Sequence, residues 1–143
     1  MKKIRGNLLG VYDLMLAVGA ICIGIMMVSS SEGIFIEYPK EWLSKVPFES
    51  WVTPGIIAIV VFGLGNIIAA IFSFRKGNDR SWIVSAVMGG VFIMSLIAQV
   101  VILGETYLAT VEFMLFSIIQ LCLCWYVFDG YSKNLTTFQL RRR

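Results

Sequence analysis

Residues 82–103 read WIVSAVMGGVFIMSLIAQVVIL, a run of 22 residues without one charged side chain. At 1.5 Å of rise per residue such a helix reaches about 33 Å, enough to cross ~30 Å of hydrocarbon. The run lacks strand-like alternation, and lipid offers no partners for open backbone groups, so it reads as a transmembrane helix. Three more apolar blocks accompany it, at about 8–28, 55–74 and 108–128. A membrane β-barrel would need alternating segments of about ten residues, and the sequence has none. The 143 residues are 58% hydrophobic and 15% charged, against about 25% charged in an ordinary soluble domain. The expected fold is therefore all-α: one integral membrane domain over 1–143, a four-transmembrane-helix bundle.

The start Met1-Lys2-Lys3-Ile4-Arg5 and the small residues Val28-Ser29-Ser30 resemble a secretory leader. Asp13 interrupts the apolar stretch, however, and the block is expected to be a retained helix. Orientation follows the basic residues, which collect on cytoplasmic loops. Lys2, Lys3, Arg5, Arg75, Lys76, Arg80, Lys133, Arg141, Arg142 and Arg143 fall on one side, and only Lys40 and Lys45 on the other. Both termini are thus expected in the cytoplasm of a plasma (inner) membrane protein. The net charge of +3 is accounted for by this asymmetry and gives no reason to expect nucleic acid. The Arg141-Arg142-Arg143 end of the tail 129–143 suits anionic headgroups.

The connections are unequal. Residues 75–81 and 104–106 are short, so the last three helices should form consecutive antiparallel hairpins. Asn78 or Asp79 is positioned to cap the third helix and Gly104 to end it. The first outer loop, 29–54, is long and patterned. Gly33–Tyr38 mixes apolar and polar residues and is expected to be extended. Pro39 and Pro47 each look like the opening of a short helical turn. Trp42, Phe48 and Trp51 suit a membrane interface, either as an anchor or as a lid or docking surface. Thr53-Pro54 reads as a cap and first turn of the second helix.

On the first helix Gly6, Gly10, Asp13, Ala17, Ala20 and Gly24 recur at spacings of four and three, one small face along which helices can approach closely in lipid. Weaker inward faces are Gly65, Asn66, Ala69 and Ser73; Ser85, Gly89, Phe92 and Gln99; and Ser117, Gln120 and Cys124. They serve packing or, alternatively, a polar path through Asp13, Asn66, Gln99, Glu112 and Gln120. An ionisable side chain inside a membrane is costly and often functional. Asp13 is such a group, able to carry a proton, bind a cation or pair with a residue such as Arg80. Glu112 lies near the outer end of the fourth helix at the depth of Gln99, where a hydrogen bond could tie the hairpin together.

Cys22, Cys122 and Cys124 form neither a redox pair nor a zinc-ligand pattern and are expected to be buried free thiols. Histidine is absent, which removes the commonest general base and metal ligand. Gly63-Leu64-Gly65 lies within an apolar helix and is no phosphate loop. The sequence thus suggests neither an enzyme nor a metal or other cofactor.

The segment Val46-Pro47-Phe48-Glu49-Ser50-Trp51-Val52-Thr53-Pro54-Gly55-Ile56-Ile57, continuing to Phe62-Gly63-Leu64-Gly65-Asn66, resembles a pattern in small bacterial four-transmembrane-helix proteins. In these a "PF…PG" outer loop runs into a glycine-containing second helix. The helix count and long first outer loop are similar to the DoxX-like layout. The resemblance covers about a fifth of the chain; it implies a bacterial plasma-membrane protein and brings no assigned activity or functional residue. The thiol pair of vitamin K epoxide reductase-like proteins is missing, as is the glutamate-centred first helix of small multidrug transporters.

These features lead first to a non-enzymatic bundle acting by helix association. It would be an accessory or regulatory subunit or a homo-oligomer, with membrane lipids and a larger membrane protein as partners. A small transporter or channel using the inter-helix polar path is the alternative. A lipid-binding or envelope-stress role centred on the outer loop is a third.

Overall fold

A computed structural model describes residues 2–30, 41, 44–75, 80–104, 106 and 108–140. These form helices α1 (Lys2–Ser30), α2 (Val52–Phe74), α3 (Ser81–Leu103) and α4 (Leu108–Leu140). All four are long and apolar enough to cross a membrane. They pack in a ring, α1 on α2, α2 on α3, α3 on α4 and α4 back on α1, with α1 also touching α3 across the centre.

Two helices exceed their apolar blocks. α1 starts at Lys2 instead of near residue 8. α4 continues to Leu140, so most of the segment expected to be a tail is helical. Helical hydrogen bonding does not stop where hydropathy stops, and neither extension contains proline.

The ends of α2 and α3 show what local chemistry decides. Gly104 takes the left-handed conformation (φ 71°) and its N–H returns to the Val100 carbonyl, closing α3 as glycine readily does. Arg80, without a side-chain cap, begins α3; Asn78 and Asp79 lie outside the described residues. α2 begins after Trp51, not at Thr53, and no side chain caps it. Pro54 falls in the first turn, where its missing N–H costs no intrahelical bond.

α2 is not uniform. Ala58–Leu64 is a π-helical stretch between two α-helical ones. Through it Gly55, Ile59 and Gly63, each four residues apart, all face α1. In a regular α-helix each step of four gains about 40°, so Gly63 would have turned about 80° from the line of Gly55. The wider π turn removes that drift.

The small face of α1 is the one that meets α2. A Cβ added to Gly24 would lie 2.7 Å from the Gly55 carbonyl oxygen, and one added to Gly55 would lie 2.8 Å from that of Gly24. The two backbones cross in direct contact there, as lipid-embedded helices can when both residues are small. Lower down, the Phe74 ring covers Gly10, and Gly6 lies beside the Ser73 carbonyl. Ala17 is buried and Ala20 half-buried. The outward surfaces carry large apolar side chains such as Val18, Met94, Val101 and Leu115, as helices facing lipid do.

Each end of the bundle has a cationic fastening. At the end that carries α1's first turn, the Arg5 guanidinium lies 4.2 Å from the Tyr126 ring centre and donates to the Tyr126 carbonyl at 3.2 Å. It lies against Gly130, where a side chain would collide with it. At the other end residues 44–51 run as turns and bends, without the helical turn suggested by Pro47. There Lys45 donates from Nζ to the Leu103 carbonyl at 3.1 Å, placing a cation on the negative end of α3. Gly33–Tyr38, Pro39 and Trp42 lie outside the described residues, while Phe48 and Trp51 are half-buried.

Candidate functional site: a polar cluster sealed in the bundle

Near mid-bundle each helix contributes one polar side chain to a single cluster: Asp13 from α1, Asn66 from α2, Ser85 from α3 and Gln120 from α4. Asp13, Ser85 and Gln120 are 0% exposed and Asn66 is 2% exposed. Ser85 donates from Oγ to Asp13 Oδ2 at 2.6 Å. Gln120 donates from Nε2 to Asp13 Oδ1 at 2.8 Å and to Asn66 Oδ1 at 2.9 Å. Asn66 donates from Nδ2 to the Phe62 backbone carbonyl at 2.8 Å.

The last bond orients the other two amide contacts. A backbone carbonyl only accepts, so Asn66 must turn its NH₂ toward Phe62 and its oxygen toward Gln120. That oxygen in turn requires the NH₂ of Gln120, which also reaches Asp13. Phe62 lies within the π-helical stretch, so the backbone irregularity of α2 stands one turn from the cluster it orients.

Both hydrogen bonds to Asp13 among the described residues come from donors. Its partners among the described residues are Ser85 and Gln120. Arg80, the basic partner considered from the sequence, is not one of them. Gln120 Oε1 is buried with no hydrogen bond among the described residues. It faces Gly89, where a Cβ would lie 3.2 Å away. Each carboxylate oxygen thus has a donor, while an acceptor beside it, Gln120 Oε1, has none among the described residues.

Apolar groups flank the cluster on both sides, and toward the Arg5 end the buried hydroxyls of Ser73 and Ser81 also lie among them, without a hydrogen bond among the described residues. Toward the Arg5 end, Leu9, Cys124 and Val127 form a buried core with Trp82, Ala86, Leu123 and Tyr131 packed on it. Toward the loop end, the rings of Phe62 and Phe92 are 5.1 Å apart and those of Phe92 and Phe113 6.1 Å apart, bridging α2, α3 and α4. Beside the cluster Tyr12 donates its hydroxyl to the Phe116 carbonyl at 2.8 Å, and Ser117 donates to the Met114 carbonyl at 2.9 Å.

Of the five residues considered for a polar path, Asp13, Asn66 and Gln120 come together, and Gln99 and Glu112 do not. Both of the latter are exposed, and no hydrogen bond joins them. The buried residues of α3 are Ser81, Ser85, Gly89, Leu96 and Leu103; Gln99 has the angular position of Ser81, five whole turns earlier, but is exposed near the other end of the helix. Glu112 lies about 140° from Ser117 around α4 by the same count. Ser85, known from the sequence only as part of an inward face, proves to be a direct partner of the carboxylate. The Phe62 carbonyl has no sequence signal, because its availability depends on backbone geometry. Of the three cysteines, only Cys124 is buried; Cys22 and Cys122 are exposed, which corrects the expectation for those two. Among the described residues no three His, Cys, Asp or Glu side chains gather into a metal-binding group.

No family model, curated protein or solved structure matches the chain, and nothing there bears on the DoxX-like resemblance.

Proposed function

We propose that this protein is a small, non-enzymatic transporter or channel of a bacterial plasma membrane, working through reversible proton or cation binding at Asp13. One observation carries the reading. A carboxyl group with no solvent exposure lies within the apolar bundle, held by polar groups and without a basic hydrogen-bond partner among the described residues. A charge so placed is costly, and carboxylates in this setting are characteristic of ion and proton pathways. The distribution of basic residues supports cytoplasmic termini, and the resemblance of the outer loop supports a bacterial origin. The working site is Asp13, Asn66, Ser85 and Gln120; Gln99 and Glu112 are not part of it.

Association with a second copy or a larger membrane protein is the second reading. The small-residue faces that first suggested it are occupied within the chain's own bundle. What favours it is the placement of Gln99 and Glu112 on exposed helix surfaces inside the spans, where a partner would give them hydrogen bonds.

Reconstitution into liposomes tests the first reading. Wild-type protein should dissipate an imposed proton or monovalent-cation gradient. Asp13→Asn should slow this at least tenfold, and Glu112→Gln should leave it unchanged. Absence of flux in wild-type vesicles, or full flux with Asp13→Asn, would refute it.

A further inference from the structure

We infer that the ligand of this cluster is a proton, shared between Asp13 and the carbonyl oxygen of Gln120, and that binding it releases Asn66 from α4. The inference rests on the reading of Asp13 as the working group, and it selects the proton over a metal cation. Cation sites are built from converging oxygen atoms. In the orientation the structure shows, the Gln120 group turned toward Asp13 is an NH₂, so converging oxygens do not face the carboxylate. The sodium and potassium arm of the titration tests the cation that a turned amide would accept. The Ser85 hydroxyl also donates to the carboxylate.

The proton has a different fit, because the cluster contains an acceptor that lacks a donor. Gln120 Oε1 is buried and unbonded among the described residues, on the same amide whose Nε2 holds Asp13. When Oδ1, the oxygen that accepts from Gln120, takes a proton delivered as hydronium, which leaves as water, its O–H directed at Gln120 sets a donor against the NH₂ there. A half-turn of the Gln120 amide then places Oε1 against the new O–H. The same half-turn sets Oε1 against Asn66 Oδ1, two acceptors where a 2.9 Å hydrogen bond had been. That contact is repulsive, so Asn66 parts from α4. Asn66 remains tied to the Phe62 carbonyl within the π-helical stretch, so the released element is α2. The step adds one proton to Asp13, breaks the two Nε2 hydrogen bonds and makes one O–H···O bond.

The surroundings leave Asp13 as the group that changes state. From α1 the adjacent Tyr12 has its hydroxyl bonded to Phe116. From α4 the Cys124 thiol is buried against Leu9 and Val127. The α2 and α3 groups in the cluster, Asn66 and Ser85, are uncharged.

The test is a pH titration of the full chain in nanodiscs, following side-chain amide signals of ¹⁵N-labelled Asn and Gln by NMR. Gln120→Leu and Asn66→Ala identify the signals. Gln120 and Asn66 should shift together over one titration step, with both shifts lost in Asp13→Asn. Shifts that persist in Asp13→Asn, or no titration at all, would overturn the inference. So would shifts driven by added sodium or potassium at constant pH. A titration seen in a protein that carries no flux would leave this inference standing and sink the transport reading alone. Should the identifying variants fail to fold, selective labelling at Gln120 by peptide ligation gives the same readout on wild-type sequence.

Discussion

Asp13 and Glu112 are both carboxylates within apolar helices, yet they occupy opposite kinds of surroundings. Asp13 is enclosed, with a donor on each oxygen. Glu112 stands on the exposed side of α4, eight residues or about 12 Å before Gln120, and no described residue bonds to it. Depth along the helix does not produce this difference; angular position does. Asp13 shares its face with Gly10, Ala17 and Gly24, small residues that bring α2 within backbone contact. Glu112 shares its side with the exposed Leu115, Phe116 and Ile119. A carboxylate enclosed by donors is part of how the helices fit together, whereas one on the outer face is available to headgroups, water or another chain.

Four substitutions test this contrast, and detergent-driven unfolding in bicelles measures each. Gly89→Leu should be the most damaging. Its Cβ alone would lie 3.0 Å from the Leu121 side chain and 3.2 Å from Gln120 Oε1, so the larger group must displace Gln120. Overpacking of this sort costs about 2–3 kcal/mol. Little change would mean that Gln120 is not held where the structure puts it. Gln120→Leu should cost less, about 1–2 kcal/mol, because interhelical hydrogen bonds in membranes are individually modest. It removes the bonds to both Asp13 and Asn66, so Asn66→Ala made on top of it should add less than Asn66→Ala alone. Strict additivity would show that the bonds do not form a network. Glu112→Gln should fall within about 0.5 kcal/mol of wild type; a larger loss would place Glu112 in a contact that the isolated chain does not contain.

Much of this arrangement was legible in the sequence. The four spans follow from runs such as 82–103, and the small face of α1 from its four-and-three spacing, because both are periodic signals set by helix geometry. Asp13 stood out as the charged residue on that face. Spacing puts Gln99 on the inward face of the third helix, but that face does not stay covered along the whole helix. Glu112 was grouped with Gln99 on depth and polarity, whereas burial also depends on angle. Ser85 carried no chemical signal of its own, since serine is common on packed membrane helices. The loop's contact through Lys45 depends on where α3 ends, which Gly104 fixes but hydropathy does not. Least visible was the π turn, which depends on how α2 must follow α1 and not on the residues Ala58–Leu64 alone.

That turn also sets where the chain can change length. A π stretch stores one residue more than a regular helix needs over the same path. Losing a residue between Ala58 and Leu64 would therefore let α2 relax to ordinary geometry while Gly65–Phe74 kept its facing toward α1. The same loss a few positions later would swing Ala69, Ala70 and Ser73 by about 100° and expose what is now buried. The irregular segment is the part of α2 with slack, and it adjoins Asn66, which ties α2 to Gln120 beside the buried carboxylate.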